Sequence, residues 1–278
     1  MTKETRYLLL FFVLTFVWTW LCYAPMVISG GSPYEMPWMI LLILGGAGPS
    51  IVGLALVGFT YTPEQRRDYW RRCINFRAIS LRWWALILLV MPAIMLTSVF
   101  IDQALGAAPP GLQQLRDLIA NPLMLPPLLL LGLLSGPVSE EFGWRGYALD
   151  PLINRWGLMF GSLLLGLLWG LWHLPLFFMP ATWHGQMGFQ LAGFWTFVLM
   201  NVGLAFLMTW VYRSTQRSII TAIALHFMSN FTANLFLPVT NNVEMLRAVL
   251  LFIVGVSACL LLERRAPAHS LQRSTKPT

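Results

Sequence analysis

The sequence predicts an all-α, polytopic membrane protein with eight transmembrane helices around a polar cavity that faces the cytoplasm. Three features of the 278 residues predict this class. Hydrophobic residues make up 57% of the chain, charged residues make up only 10%, and long apolar segments recur along it. Soluble domains carry about 25% charged residues. The composition therefore excludes a soluble enzyme, a disordered chain and a disulfide-stapled secreted module.

The apolar segments define the predicted spans. About 20 residues in a helix cross the roughly 30 Å of hydrocarbon, and a helix satisfies its own backbone hydrogen bonds in lipid. The fourth segment is the weakest prediction because it is short and rich in proline, and the seventh is weak because it carries polar residues. Together the eight segments form one predicted domain over 1–262, followed by a polar cytoplasmic tail over 263–278. The segments are 7–29, 37–60, 81–101, 122–139, 157–180, 189–212, 218–237 and 244–262.

The distribution of basic residues predicts the orientation of the chain. With a cytoplasmic N-terminus and eight spans, sixteen of the 18 Lys and Arg residues face the cytoplasm, and only Arg116 and Arg247 face outward. Such a bias is typical of helical membrane proteins. We therefore expect an integral protein of a bacterial inner membrane with both termini in the cytoplasm. The net charge of +7 reflects this topology and predicts no nucleic-acid partner.

Two basic or polar connections carry predictions of their own. Segment 64–77 contains five arginines among aromatic residues. It is interpreted as a basic loop that fixes topology, with an interfacial helix on anionic lipid as the alternative. Segment 102–121 contains Pro109 and Pro110 and is interpreted as an outer loop with one short helix.

Ionisable residues inside membrane spans are expensive and are therefore functional candidates. Glu140, Glu141 and Arg145 lie at the predicted inner end of the fourth span. Glu141 and Arg145 are four residues apart, which predicts an ion pair on one helix face. Glu140 has no basic residue three or four residues later in the sequence. It is left as a carboxylate in an apolar setting, suited to general acid or base chemistry, although all three residues also fit an ordinary polar membrane border.

Histidines provide the other candidates. His226, Asn230 and Asn234 recur every four residues and therefore share one face of a helix. That face either lines a cavity or hydrogen-bonds across the helix bundle, and the second interpretation suits Asn234 better. His173 lies in the fifth span, two residues before a proline. The remaining two, His184 and His269, are interpreted as solvated residues of an outer loop and of the tail.

One glutamate and two histidines on three spans favour two chemistries. Glu140 could activate water, with imidazoles assisting or stabilising an oxyanion. Alternatively, Glu140, His173 and His226 could form a His/His/Glu metal site of the type found in zinc hydrolases. The strong His-Glu-x-x-His zinc signature is absent from the sequence.

These residues resemble the motifs of the CPBP family of intramembrane endopeptidases. That family includes the type II CAAX prenyl proteases and the bacteriocin-processing or immunity proteins called Abi. Its first motif, Glu-Glu-x-x-x-Arg, matches Glu140, Glu141 and Arg145. Its second, Phe-x-x-x-His, matches at His173, with Trp169 in place of phenylalanine.

The third family motif, His-x-x-x-Asn, matches His226 and Asn230, and the resemblance covers about 130–235. It implies an intramembrane endopeptidase that hydrolyses a bond in a membrane-anchored protein or peptide. Glu140, with help from His173, would activate the attacking water, and His226 and Asn230 would stabilise the oxyanion.

The resemblance further implies that Glu141 and Arg145 orient the site. No cofactor is expected, and the family's metalloprotease label leaves zinc at Glu140, His173 and His226 as the open alternative. One geometric conflict remains. Glu140 is predicted near the cytoplasmic end of its span, whereas His173 lies about 24 Å, at 1.5 Å per residue, from Gly157, the predicted cytoplasmic start of the fifth span. A non-catalytic immunity or partner-binding protein and a transporter are the competing interpretations of the whole chain.

Overall fold

The computed structural model describes residues 2–265, and every regular element within them is a helix. Short 3₁₀ and π turns connect or interrupt the α-helices. The last helix continues to Arg265, so the first residues of the predicted tail are helical, and the rest of that tail lies outside the described residues. The α-helices are α1 Lys3–Ser29, α2 Trp38–Gly46, α3 Gly48–Thr60, α4 Pro63–Ile74, α5 Leu81–Ala104, α6 Gln113–Ala120, α7 Leu125–Leu133, α8 Ser139–Gly143, α9 Leu149–Trp172, α10 Trp183–Met187, α11 Thr196–Ser214, α12 Ile219–Phe236 and α13 Asn241–Arg265.

The long helices have the length and hydropathy of membrane spans. Within the described residues, six helical runs pass this test, or seven if α2 and α3, which meet at a bend of 49°, form one span. One of the six, Pro122–Phe178, is 57 residues long. At 1.5 Å per residue it would measure about 86 Å, nearly three times the hydrocarbon thickness. It therefore cannot be a single straight span.

The chain turns inside this run at Gly157, whose φ of +81° and ψ of 167° are not helical. Glycine adopts positive φ without the steric cost that a Cβ atom imposes. The part before Gly157 contains the predicted fourth segment, and the part after it contains the fifth. The two predicted segments thus lie in two parts of one helical run, divided by a turn that hydropathy alone does not reveal.

Helix α11 lies at the centre of the bundle. It packs against α9 on one side and α13 on the other, and most of its side chains are buried. Small residues allow these helices to approach closely: Cβ atoms added at Gly166 and Gly170 of α9 would contact Val202 and Val198 of α11. Close packing at small residues is characteristic of helices in membranes. The peripheral helices instead expose Leu, Ile and Phe side chains toward the surrounding lipid.

The basic segment 64–77 is mostly helical, because α4 begins with a capping box formed by Thr62 and Gln65. Its inner face is fixed by polar contacts. Tyr69 donates a hydrogen bond of 2.9 Å to the carbonyl of Phe142, and buried Arg72 donates one of 2.6 Å to the hydroxyl of Tyr212. Helix α4 is thus attached directly to α8, which carries the candidate site.

Two aspartates extend this attachment. Arg217 contacts both Asp68 and Asp150 at 2.9 Å, and Arg72 contacts Asp68 at 3.0 Å. Burial alone would raise the pKa of Asp68, but the guanidinium groups of Arg217 and Arg72 outweigh it and lower that pKa. Asp68 therefore stays ionised near neutral pH. The network links α4, the start of α9 and the turn before α12.

The predicted short helix in 102–121 is confirmed as α6.

Candidate active site

The site is built on an interrupted helix. A π turn over Leu134–Val138 precedes α8, and a second π turn over Trp144–Ala148 follows it. Pro137 lies in the first turn and has no N–H to donate, which favours a widened turn there. Such turns often occur at functional sites. Glu140 and Glu141 therefore lie between two local irregularities of one helical run.

This run differs from the predicted fourth span, which ends at 139. The helix continues past Ser139 to the turn at Gly157, so Glu140 lies within it instead of at its end. Counted from Gly157, Glu140 is about 26 Å along one arm and His173 about 24 Å along the other. Gly161 lies against Ile153 and Trp169 donates to Glu140, so the second arm folds back along the first and both residues reach a similar level. The apparent conflict in depth came from ending the span too early.

The predicted ion pair between Glu141 and Arg145 is confirmed and fully buried. Arg145 Nη1 donates to Glu141 Oε1 at 2.8 Å and to Oε2 at 2.9 Å. Glu141 also contacts a third group, His226 Nδ1, at 2.7 Å from its Oε1. An ionised carboxylate only accepts hydrogen bonds, so His226 carries a proton on Nδ1. Arg145, Glu141 and His226 thus form a continuous buried chain of polar contacts.

Glu140 is also buried, but its partners are different. Its Oε2 accepts hydrogen bonds from two indole N–H groups, Trp169 Nε1 at 2.6 Å and Trp144 Nε1 at 3.3 Å. Neither contact neutralises the carboxylate. The other oxygen, Oε1, is directed toward Gly136, one turn earlier in the helix. Glu140 therefore has one anchored oxygen and one that is available for chemistry.

A small polar niche lies beside Gly136. A Cβ atom added to this glycine would lie 3.2 Å from Asn230 Nδ2, 3.5 Å from Glu140 Oε1 and 3.5 Å from His226 Nε2. These three atoms come from two different helices and surround a single position. The three atoms therefore border one small space beside Gly136. The absence of a side chain at Gly136 keeps this space open.

His173 borders the same region through Trp169. Its Nδ1 lies 2.8 Å from the carbonyl oxygen of Trp169, which accepts but cannot donate. The proton is therefore on Nδ1, and Nε2 carries a lone pair in the neutral ring. No hydrogen bond joins His173 to Glu140 within residues 2–265. The two residues instead contact opposite ends of the same tryptophan, one at its indole and one at its backbone.

His184 is a residue that the sequence interpretation misplaced. It is not solvated in a loop: it is partly buried, and its ring stacks on His173 with centroids 5.5 Å apart and planes 23° apart. Phe177 and Phe197 enclose it at centroid distances of 5.3 and 4.8 Å. Trp183, the residue before His184, is a signal in the sequence that favours burial. His269 lies outside the described residues.

The sequence left a zinc site at Glu140, His173 and His226 open as an alternative. Among the described residues, no group of three His, Cys, Asp or Glu side chains converges in a way that could hold a metal ion. His226 Nδ1 is bonded to Glu141, Glu140 Oε2 to the two indoles, and His173 Nδ1 to a carbonyl. These bonds leave Glu140 Oε1 and the Nε2 atoms of His226 and His173 uncommitted, and metal-bound histidines commonly donate their other ring N–H in this way, so the zinc alternative stays a prediction.

Breaking the buried ion pair should destabilise the fold. Substitution Arg145→Gln leaves Glu141 without its cation in a fully buried position, and the expected cost is about 3–5 kcal/mol of unfolding free energy. Thermal unfolding in detergent, followed by circular dichroism, measures this. Arg71→Gln is the matched control, because Arg71 is largely exposed and its ion pair with Asp68 is worth little. Equal unfolding temperatures for the two variants would contradict the prediction.

The fold and the site together define an integral membrane protein in which a buried glutamate and buried histidines lie beside a half-buried asparagine. Comparison with known proteins identifies the family. A family model described as type II CAAX prenyl endopeptidase, Rce1-like, matches residues 122–232. The chain is 30% identical over 255 residues to CAAX prenyl protease 2 of Methanococcus maripaludis, an alignment that covers 90% of this chain and 92% of that relative.

The chain belongs to the Rce1-like family of type II CAAX prenyl endopeptidases. It is an intramembrane endopeptidase. The family match includes Glu140, His173, His226 and Asn230, and it overlaps the range of 130–235 over which the motifs resemble the CPBP family.

Proposed function

We propose that this endopeptidase hydrolyses a peptide bond near the C-terminus of a membrane-anchored protein, in a CAAX sequence whose cysteine carries a prenyl group. The observation that supports the mechanism is the polar niche, where Glu140 Oε1, His226 Nε2 and Asn230 Nδ2 surround one position. The observation that supports the substrate is the similarity to a protein named CAAX prenyl protease 2. A prenyl group also anchors its protein in the bilayer in which this site lies.

In the proposed reaction, Glu140 Oε1 accepts a proton from a water molecule as the water oxygen attacks the scissile carbonyl carbon. A carbon–oxygen bond forms, and the carbonyl electron pair moves onto its oxygen. His173, which carries its proton on Nδ1, offers the Nε2 lone pair to the same water. The carboxylate and the imidazole together raise the nucleophilicity of water without a covalent intermediate.

The oxyanion is stabilised by the two nitrogens of the niche. Asn230 Nδ2 donates directly. His226 already donates from Nδ1 to Glu141, so it donates from Nε2 as well when it carries both protons. The intermediate collapses when the proton held by Glu140 passes to the leaving nitrogen and the carbon–nitrogen bond breaks. The products are a carboxylate and an amine.

The finer topology is part of this proposal. The bent pair counted as one span, and one span on each side of Gly157, raise the number of spans to eight. That number agrees with the distribution of sixteen basic residues on one side and two on the other. We infer that the protein lies in the cell membrane with both termini in the cytoplasm, and that the polar cavity opens to that side.

A paired-substrate assay with and without chelator tests substrate and metal together. Purified wild-type protein in detergent is given two quenched fluorescent peptides that end in the same CAAX sequence, one prenylated and one not. We expect at least about a 10-fold preference in kcat/KM for the prenylated peptide, because its buried methylenes contribute binding. Activity should survive EDTA. Equal cleavage of both peptides would contradict the substrate proposal, and loss with EDTA that zinc restores would contradict metal-free water activation.

A further inference from the structure

We infer that Trp169 is a positioning residue: its indole N–H holds Oε2 of Glu140 and thereby presents Oε1 to the polar niche. This inference rests on the proposed role of Glu140 as the base. Trp169 is not one of the residues to which the CPBP resemblance assigns a role. It occupies the motif position where the family has phenylalanine, a side chain without a hydrogen-bond donor.

The contact between Trp169 and Glu140 is short and shielded from water. The distance from Nε1 to Oε2 is 2.6 Å, and both residues are buried. Hydrogen bonds to an ionised group are shorter and roughly twice as strong as neutral ones. The indole of Trp144 adds a second, longer bond to the same oxygen. Since both donors act on Oε2, the rotation of the carboxylate is fixed and Oε1 is left toward Gly136.

Three further contacts hold Trp169, two of them at its indole ring. The guanidinium carbon of Arg145 lies 4.3 Å from the centre of the Trp169 ring, a cation–π distance. The His226 ring approaches edge-to-face at 5.1 Å. The backbone carbonyl of Trp169 accepts the proton of His173 Nδ1. One residue thus contacts the base, the buried ion pair and both imidazoles, so its orientation determines theirs.

Loss of the Trp169 indole N–H is expected to lower turnover and to leave substrate binding unchanged. Without the indole N–H, the Glu140 carboxylate can rotate, and Oε1 is aligned with the attacking water for a smaller fraction of the time. Misalignment of a reacting group lowers kcat, while substrate binding elsewhere along the cavity is unchanged. We expect Trp169→Phe to lower kcat about 10- to 100-fold with KM within about twofold of wild type. Trp144→Phe should have a smaller effect, because its bond is longer.

Trp172→Phe is the matched control. Trp172 lies on the same helix, is buried to a similar degree, and its indole N–H has no hydrogen-bond partner among the described residues. The substitution therefore removes the same atoms from a similar environment without removing a bond. Activity, unfolding temperature and KM are measured for Trp169→Phe, Trp144→Phe and Trp172→Phe with the prenylated peptide. Equal kcat values for Trp169→Phe and Trp172→Phe would overturn the inference.

Indole NMR tests the contact without any substrate. In protein labelled with ¹⁵N at tryptophan, the Nε1–H signals of Trp169 and Trp172 are assigned by the two Phe substitutions. Glu140→Gln removes the charge from the acceptor, so it should shift the Trp169 signal and leave the Trp172 signal in place. If no indole signal shifts in Glu140→Gln, the inference is overturned even if Trp169→Phe does not fold. Full activity of Glu140→Gln would instead contradict the proposed function itself.

Discussion

Glu140→Gln is expected to abolish peptide cleavage while leaving the fold intact. Glutamine has the same shape, and its amide oxygen can still accept the indole hydrogen bonds that fix the side chain. It cannot accept a proton from water. General-base catalysis contributes about 10²–10⁴-fold, so we expect a loss of kcat of that order. Turnover of the prenylated peptide, together with the unfolding temperature, measures the effect.

The matched control for this substitution is Glu64→Gln. It makes the same chemical change at an exposed position in the first turn of α4, away from the site. Wild-type activity is expected there. A second readout compares the peptide termini of membranes from cells that carry wild type or Glu140→Gln at equal expression. Identical termini, with any immunity or growth phenotype retained by Glu140→Gln, would favour a non-catalytic partner-binding role over hydrolysis.

Gly136→Ala should have the second largest effect. The added methyl group would lie 3.2–3.5 Å from the three polar atoms of the niche, in the space where the reacting oxygen is proposed to sit. Alanine favours helix over glycine, so the fold should be retained or slightly stabilised. Displacement of the reacting group by about 1 Å can cost 10²-fold in rate. We therefore expect kcat/KM to fall by about 100-fold or more.

Gly132→Ala distinguishes the niche from the helix. Gly132 lies one turn earlier, and a methyl group there would meet only the Phe227 ring, at 3.2 Å. Both variants make the same change to helix propensity. Kinetics with the prenylated peptide should show near-normal activity for Gly132→Ala and loss for Gly136→Ala. Equal activity in the two variants would show that the space beside Gly136 is not used by the reaction.

The parts of the site that the sequence predicted are local ones. Glu141 with Arg145, and His226 with Asn230, are four residues apart, and helical periodicity alone places each pair on one face. The contacts between helices were not predictable in this way. Glu141 with His226 and Trp169 with Glu140 depend on how α8, α9 and α12 pack, and periodicity carries no information on which faces meet.

The predicted boundary of the fourth span failed for an identifiable physical reason. Hydropathy ends the segment at 139 because three charged residues follow within 140–145. The structure buries these charges against one another and against indoles, so the helix continues through them. The π turns also change which residues share a face, an effect that no fixed helical period includes. Burial of His184 likewise depends on tertiary contacts with His173 and Phe197.

In the proposed orientation, the distance between the ionic network and the candidate base would limit which substrates can be cut. Asp150, part of that network, is ten residues after Glu140 in the sequence, a separation of about 15 Å along the helix. With the proposed orientation, a polypeptide that enters from the cytoplasm must cover this distance in extended form, which takes about five residues. A folded substrate domain therefore needs a flexible stretch of at least that length before the cleaved bond. The enzyme would select by the length of an unstructured tail as well as by its lipid.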